Sequence, residues 1–200
     1  GAFSDKWLDV SKRCGKEAEA YQVEWGQPIL ASEIDKRLAT GEFDAVTFIH
    51  NETSTGATSR IEAIRGAIDA AAHPALYMVD AVSSLGSVDY RHDEWGVDVT
   101  VAGSQKGLML PPGLSFNAVG ERALQASATA RLARSYWSWE EMIAQNRTGY
   151  FPYTPATNLL YGLRESLRML QEEGLDNVFA RHDRHAEATR RAVRAWGLEI

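Results

Sequence analysis

VAGSQKGLMLPPGLSF, residues 101–116, holds a single charged side chain, Lys106, between an apolar run of β type, a Pro-Pro-Gly turn and a second apolar run. A surface lysine ordinarily keeps polar company. One set among small and apolar neighbours is either a stem laid along the surface or an amine used in chemistry. The flanks, VDVTVAG (97–103) and LSFNAVG (114–120), read as short buried strands.

The same pattern continues outward. AVTFIH (45–50) and ALYMVD (75–80) are further short apolar strands, and the Ala/Ile-rich stretch 60–72 between them has helical spacing. Upstream, FSDKWLDVSKRCG (3–15) predicts a helix capped by Ser4 and ended by Gly15, and ASEIDKRLATG (31–41) one capped by Ser32. Downstream, Leu160, Leu163, Leu167 and Leu170 mark one face of a helix over 157–173 that Gly174 closes, and a second long helix follows over 175–196. Alternating helices and strands imply an α/β layer fold with a mostly parallel central sheet flanked by helices. In such sheets ligands bind beyond the carboxyl ends of the strands.

Four strand exits can be inspected. AVTFIH runs into the hydroxyl-rich Asn51-Glu52-Thr53-Ser54-Thr55-Gly56, ALYMVD ends in Asp80 before Ala81-Val82-Ser83-Ser84, and VDVTVAG runs into Ser104-Gln105-Lys106. LSFNAVG ends in Gly120-Glu121, with nothing obviously catalytic. Singly, each has a structural explanation: Asp80 as a turn cap, NETSTG as a βα loop, Lys106 as a surface lysine. The combination of carboxylate, hydroxyls and amine on one rim is what argues for a site.

Composition narrows the function. The 200 residues are 44% hydrophobic and 24% charged, with a formal charge of −6. A mildly acidic chain lacks the concentrated basic face of a nucleic-acid binder, and Arg181–Arg194 interleaves with His, Glu, Asp and Ala as a solvated helix face does. One cysteine, Cys14, excludes an internal disulfide and suggests a reducing compartment. No run approaches the about 20 apolar residues of a membrane helix. A dinucleotide fingerprint is absent, GSQKG lacks P-loop spacing, and Gly113–Asn117 misses the nucleophile elbow by its last residue. His182 and His185 have no companions that would complete a metal shell.

A lysine amine captures an aldehyde when part of it is neutral. Pyridoxal 5′-phosphate (PLP) is such an aldehyde, and it asks for a carboxylate at its ring nitrogen and donors around its phosphate. Asp80 supplies the first, Gln105 and nearby hydroxyls such as Ser104 the second, and Lys106 the amine.

VDAVSSLGS with VAGSQKGLMLPPGLSF resembles the class V aminotransferases of PLP fold type I, and is most similar to the serine–glyoxylate and alanine–glyoxylate groups within it. HNETSTG (50–56) and LYGLRESL (160–167) fit as well. The resemblance implies that Lys106 anchors the cofactor and later moves the substrate Cα proton, and that Asp80 pairs with the ring nitrogen. Val82 and Phe3 would pack on the two ring faces, Thr53 would bond the ring hydroxyl and Gln105 the phosphate. Thr154, with Tyr153 among the aromatics beside it, would complete the phosphate cup of a neighbouring subunit, so a homodimer with shared sites is implied. Residues 1–174 would be the large domain, incomplete at its N-terminus, and 175–200 a helix leading into a small domain. A phosphate loop is expected upstream of Gly1 and the arginine that grips the substrate carboxylate downstream of Ile200; a molecule of these residues alone is expected to transaminate little.

The implied reaction moves an amino group from serine, or alanine, to glyoxylate in two half-reactions, with small amino acids and 2-oxo acids as substrates and a second copy of the chain as partner. Neither nucleic acid nor membrane is expected, and the setting is the cytoplasm or, for a eukaryotic source, the peroxisome. Aspartate or ureidoglycine as donor, and a non-catalytic binding or assembly protein on the same fold, are the alternatives. A cysteine desulfurase is disfavoured because Cys14 sits in an early helix.

Overall fold

Parallel strands cannot be joined by a hairpin, so the apolar runs must be linked by crossovers. In the computed structural model, which describes residues 1–39 and 41–200, the first three of these runs are linked in that way. Strand β1 (Ala45–Ile49) leads through a two-stranded hairpin, β2 (Asn51–Glu52) and β3 (Ala57–Thr58), into helix α3 (Ile61–Ala70) and then β4 (Leu76–Asp80). Residues 81–98 carry the chain by turns to β5 (Val99–Gly103). The sheet order is β1-β4-β5-β6, with β6 spanning Ser115–Val119.

Strands β1, β4 and β5 are parallel, with Ile49 opposite Asp80 and Asp80 opposite Val101. Two backbone bonds extend this register past the strand ends: His50 N–H to Asp80 O at 2.9 Å and Ala81 N–H to Val101 O at 2.8 Å. Three strands therefore finish on one edge. Strand β6 is antiparallel, pairing Ser115 with Gly103 and Val119 with Val99. It begins on the shared edge and ends on the opposite one, so Gly120-Glu121 lies away from the rim on which the other three exits meet.

Helices α1 (Ala2–Arg13) and α2 (Ala31–Leu38) precede the sheet; Thr40, in the expected tail of the second, lies outside the described residues. Neither Ser4 nor Ser32 caps its helix: α1 starts from Gly1 and α2 from Leu30, without a side-chain cap. After β6 come α4 (Glu121–Thr129), α5 (Trp139–Asn146), α6 (Thr157–Glu173) and α7 (Leu175–Ala195). Gly174, at φ 80°, ends α6 where expected.

Ile34, Leu38, Ile61, Ile64 and Ile68 pack on Phe48, Tyr77 and Val79 to form the main core. Ile64, Ile68, Tyr77 and Val79 are fully buried, each contributing about 1.5–3 kcal/mol of burial free energy. A second cluster joins Leu108 and Leu110, just past Lys106, to Leu170 of α6 and Val178 of α7. The two helices thus buttress the lysine loop. Among the described residues no helix is long and apolar enough to cross a membrane.

Candidate functional site

The edge where β1, β4 and β5 end carries the candidate site. Asp80, the last residue of β4, is half-buried, and both carboxylate oxygens receive hydrogen bonds. Oδ1 accepts the Val82 amide at 2.9 Å, which fixes the turn and places Val82 beside the carboxylate. Oδ2 accepts the Trp7 indole N–H at 2.9 Å. An ionised carboxylate offers about four lone-pair sites, so a further donor can still be received.

Trp7 reaches Asp80 because α1 is tied down at its start. Glu52, buried at the tip of β2, accepts from Ser4 N–H at 3.1 Å, Ser4 Oγ at 3.0 Å and Phe3 N–H at 3.4 Å. It also accepts from Ser54 N–H at 3.2 Å and Ser54 Oγ at 2.8 Å. Burial by itself would raise this carboxyl, but the donors of Ser54 and Ser4 outweigh it and hold it down at about 2. A carboxylate at a helix N-terminus also complements the helix dipole. Phe3 and Trp7 are four apart on one helix face, so the clamp that places Trp7 carries Phe3, which is 42% exposed, with it.

Beneath this edge His50 is buried, its Nδ1 bonded to Ser84 Oγ at 2.9 Å and its ring packed by Tyr90 and Trp95. Burial pushes its pKa down to about 4, against a smaller opposing pull from Asp89, so the ring is neutral near pH 7. Ser83 Oγ donates to Asn51 O at 2.7 Å, joining the exits of β1 and β4.

Lys106 lies on the exposed loop beyond β5, and among the described residues no hydrogen bond or ion pair engages its amine. It borders an open cavity of about 280 Å³ shared with Ser83, Ser87, Leu170 and His182. The loop is closed by Met109 N–H to Lys106 O at 2.8 Å, with Met109 at φ 58°. Ser166 on α6 donates its hydroxyl to Leu108 O, and Gly162 one turn earlier lets the helix come close to Leu110. This gives LYGLRESL a physical role as the backing of the lysine loop.

Other expected contacts differ. Ser104 is fully buried, and its hydroxyl donates to Pro111 O at 2.8 Å and accepts from Leu114 N–H at 3.2 Å. That corrects its place among outward-facing phosphate donors: it holds the Pro-Pro-Gly turn. Gln105 is exposed and curls back over Gly103, and Thr53 is exposed at the hairpin turn. Tyr153 and Thr154 sit on an exposed loop before α6, with Tyr153 OH on Ser135 Oγ at 3.0 Å; neither bonds the Asp80 or Lys106 segments. On α7, Arg181 pairs with Glu173 at 2.7 Å and Arg191 with Glu187 at 3.0 Å, as a solvated helix face would.

Trp7, Glu52 and His50 were not singled out as site residues in the sequence. The bond from Trp7 to Asp80 spans 73 residues, and no local pattern announces it. For Glu52 there was a signal: a carboxylate beside Ser54 in a strand exit.

The family profile described as aminotransferase class-V matches residues 2–197. The serine–glyoxylate aminotransferase of Methylorubrum extorquens is 52% identical over an alignment that takes in 100% of this chain and 52% of that protein. The L-aspartate–glyoxylate aminotransferase of Paracoccus denitrificans is 45% identical over 100% of this chain and 51% of its own. An alanine–glyoxylate aminotransferase structure from Nostoc sp. matches with a TM-score of 0.90 at 30% identity, over 99% of this chain and 53% of that one. The chain spans about half the length of the relatives it matches. Its mostly parallel sheet flanked by helices is that of the large domain of PLP fold type I, and the chain belongs to the class V aminotransferases.

Proposed function

We propose that the protein is a PLP-dependent aminotransferase that passes the amino group of serine, or alanine, to glyoxylate by a ping-pong route. The observation that carries the reading is the pairing of Asp80 and an unengaged Lys106 at the ends of neighbouring strands. The residues fit the cofactor: a carboxylate with spare lone pairs, a free amine, and the hydroxyls of Ser83 and Ser87 beside that amine, while Thr53 would bond the ring hydroxyl. When bound, PLP supplies an aldehyde for a primary amine and a protonated ring that draws off electrons as the substrate Cα–H bond breaks. Asp80 would hold the ring nitrogen protonated, with Val82 and Phe3 on the ring faces. Gln105 would reach the phosphate. Lys106 Nζ, freed by the incoming amino donor, would take the Cα proton.

The homodimer belongs to this reading. Tyr136, Trp137, Tyr150, Phe151 and Tyr153 are all exposed around the loop that carries Thr154, and an aromatic patch of that kind suits a subunit contact. Residues 1–174 would form the large domain and 175–200 the entry to the small one; the bacterial relatives favour a cytoplasmic setting. Serine is favoured over aspartate as donor by the higher identity of the serine-named relative.

The experiment is borohydride trapping of the full-length protein with PLP, then peptide mass mapping and a glyoxylate-coupled screen of amino donors. A pyridoxyl mass on the Lys106 peptide and turnover with serine are expected. An unmodified Lys106 in folded protein would sink the catalytic reading and favour a binding or assembly role.

A further inference from the structure

The Trp7–Asp80 bond has no counterpart among the expected contacts. An aspartate's terminal torsion is broad, and the Val82 amide, only two residues on, restrains one oxygen alone. The second restraint comes from a separate element, α1, through Trp7 Nε1 on Oδ2. Burial does not force this choice: Trp7 is only half-buried, and an indole N–H at that depth can be satisfied by water. The position is enforced from elsewhere, because Glu52 pins the first turn of α1 to the hairpin at β2 and leaves Trp7 one turn along, over the end of β4.

Resting on the reading above, we propose that Trp7 is a positioning residue of the cofactor site. Its indole N–H and the Val82 amide together fix the plane of the Asp80 carboxylate, so that the lone pairs left over face a ring nitrogen arriving at the strand exit. Held groups of this kind gain affinity by losing less freedom on binding. Trp7 then acts on the ligand only through Asp80, which separates it from Phe3, expected on the ring itself.

The test is a double-mutant cycle on PLP affinity, measured by equilibrium dialysis in the full-length protein for wild type, Trp7→Phe, Asp80→Asn and the double variant. Phenylalanine keeps an aromatic ring in place and removes the N–H. Trp7→Phe is expected to weaken binding about tenfold when Asp80 is present, the cost of one hydrogen bond to a charged group. In the Asp80→Asn background the same change is expected to cost less than about twofold. Equal losses in both backgrounds would make Trp7 a packing residue and overturn the proposal, as would wild-type affinity in Trp7→Phe.

A second readout does not depend on the cofactor. In 15N-labelled protein without PLP, the Trp7 indole N–H resonance is expected to move in Asp80→Asn; an unmoved resonance overturns the proposal even where Asp80→Asn binds too little PLP for the cycle. Failure of the wild type to bind PLP would overturn the cofactor reading itself, a different outcome from a wild type that binds and a Trp7→Phe variant that is indifferent.

Discussion

Gly86 and Gly107 pass one another backbone to backbone: a Cβ on Gly86 would lie 3.1 Å from the Gly107 carbonyl, and one on Gly107 would lie 2.3 Å from Leu85 O. The loop after Asp80 and the loop that carries Lys106 are thereby locked into one unit. Gly107→Ala is expected to cost about 1–3 kcal/mol, because backbone rather than a flexible side chain would have to yield, and to abolish PLP uptake by displacing Lys106. Gly66→Ala, in α3 with open space around it, is the control and is expected to stabilise by about 0.5–1 kcal/mol. Urea denaturation with PLP titration checks both; a Gly107→Ala protein that binds PLP like the wild type refutes the locking role.

The other side of the lysine loop rests on α6. Ser166 is buried and donates to Leu108 O. Ser166→Ala leaves that carbonyl unsatisfied and is expected to destabilise by about 1–3 kcal/mol. Faster amide exchange over residues 104–110 is the specific signature. Unchanged exchange there, with stability lost elsewhere, would show that Ser166 does not restrain the loop.

These loop contacts mark the boundary of what was legible in the sequence. Strands β1, β4 and β5 were readable because parallel strands covered on both faces are near-continuous apolar runs, and α6 because its leucines repeat at helical spacing. Asp80 and Lys106 followed from the strand exits. Helices α4 and α5 are hard to read: α4 is nine residues long and buries only Ala123, and the stripe of α5, Trp139, Met142 and Ile143, covers little more than one turn and is only half-buried. Yet α5 had a start signal in Ser138-Trp139-Glu140-Glu141, and Ser138 Oγ does accept from Glu141 N–H at 3.4 Å. Ser4 and Ser32 look like caps because a cap and a first-turn serine differ by only two or three positions; Ser4 gives its hydroxyl to Glu52 instead. The direction of β6 and the inward turn of Ser104 depend on partners that a linear reading does not contain.

His50 makes stability depend on pH. Its folded pKa of about 4 lies below its ordinary 6.5 because the ring is buried. Between those values the unfolded chain takes up a proton that the folded chain refuses, so stability rises with pH across that window. The contribution is complete above 6.5 and falls by about 3 kcal/mol on acidification to 4. Urea midpoints measured at both ends of the window are expected to differ in the wild type and to converge in His50→Gln. A His50→Gln protein with the wild-type slope would assign the pH dependence to other groups.

Glu52 acts in a lower window and through a different element. Despite burial, which works to raise it, the donors of Ser54 and Ser4 depress this carboxyl from 4.5 to about 2. A depressed carboxyl contributes stability that is fully present above its unfolded value and is lost as pH falls through the folded one, here about 3 kcal/mol between 4.5 and 2. What is lost is specific, because Glu52 is the clamp on the first turn of α1. Glu52→Gln keeps the shape but replaces one acceptor oxygen with a donor amide facing N–H groups. It is expected to free α1 at neutral pH, with Trp7 drawn away from Asp80 and its fluorescence moved toward that of exposed indole. PLP affinity should then fall by about tenfold, as for loss of the Trp7 bond to the charged Asp80. A Glu52→Gln protein whose Trp7 emission and acid-unfolding midpoint both match the wild type would show that α1 is held by packing and not by the carboxylate.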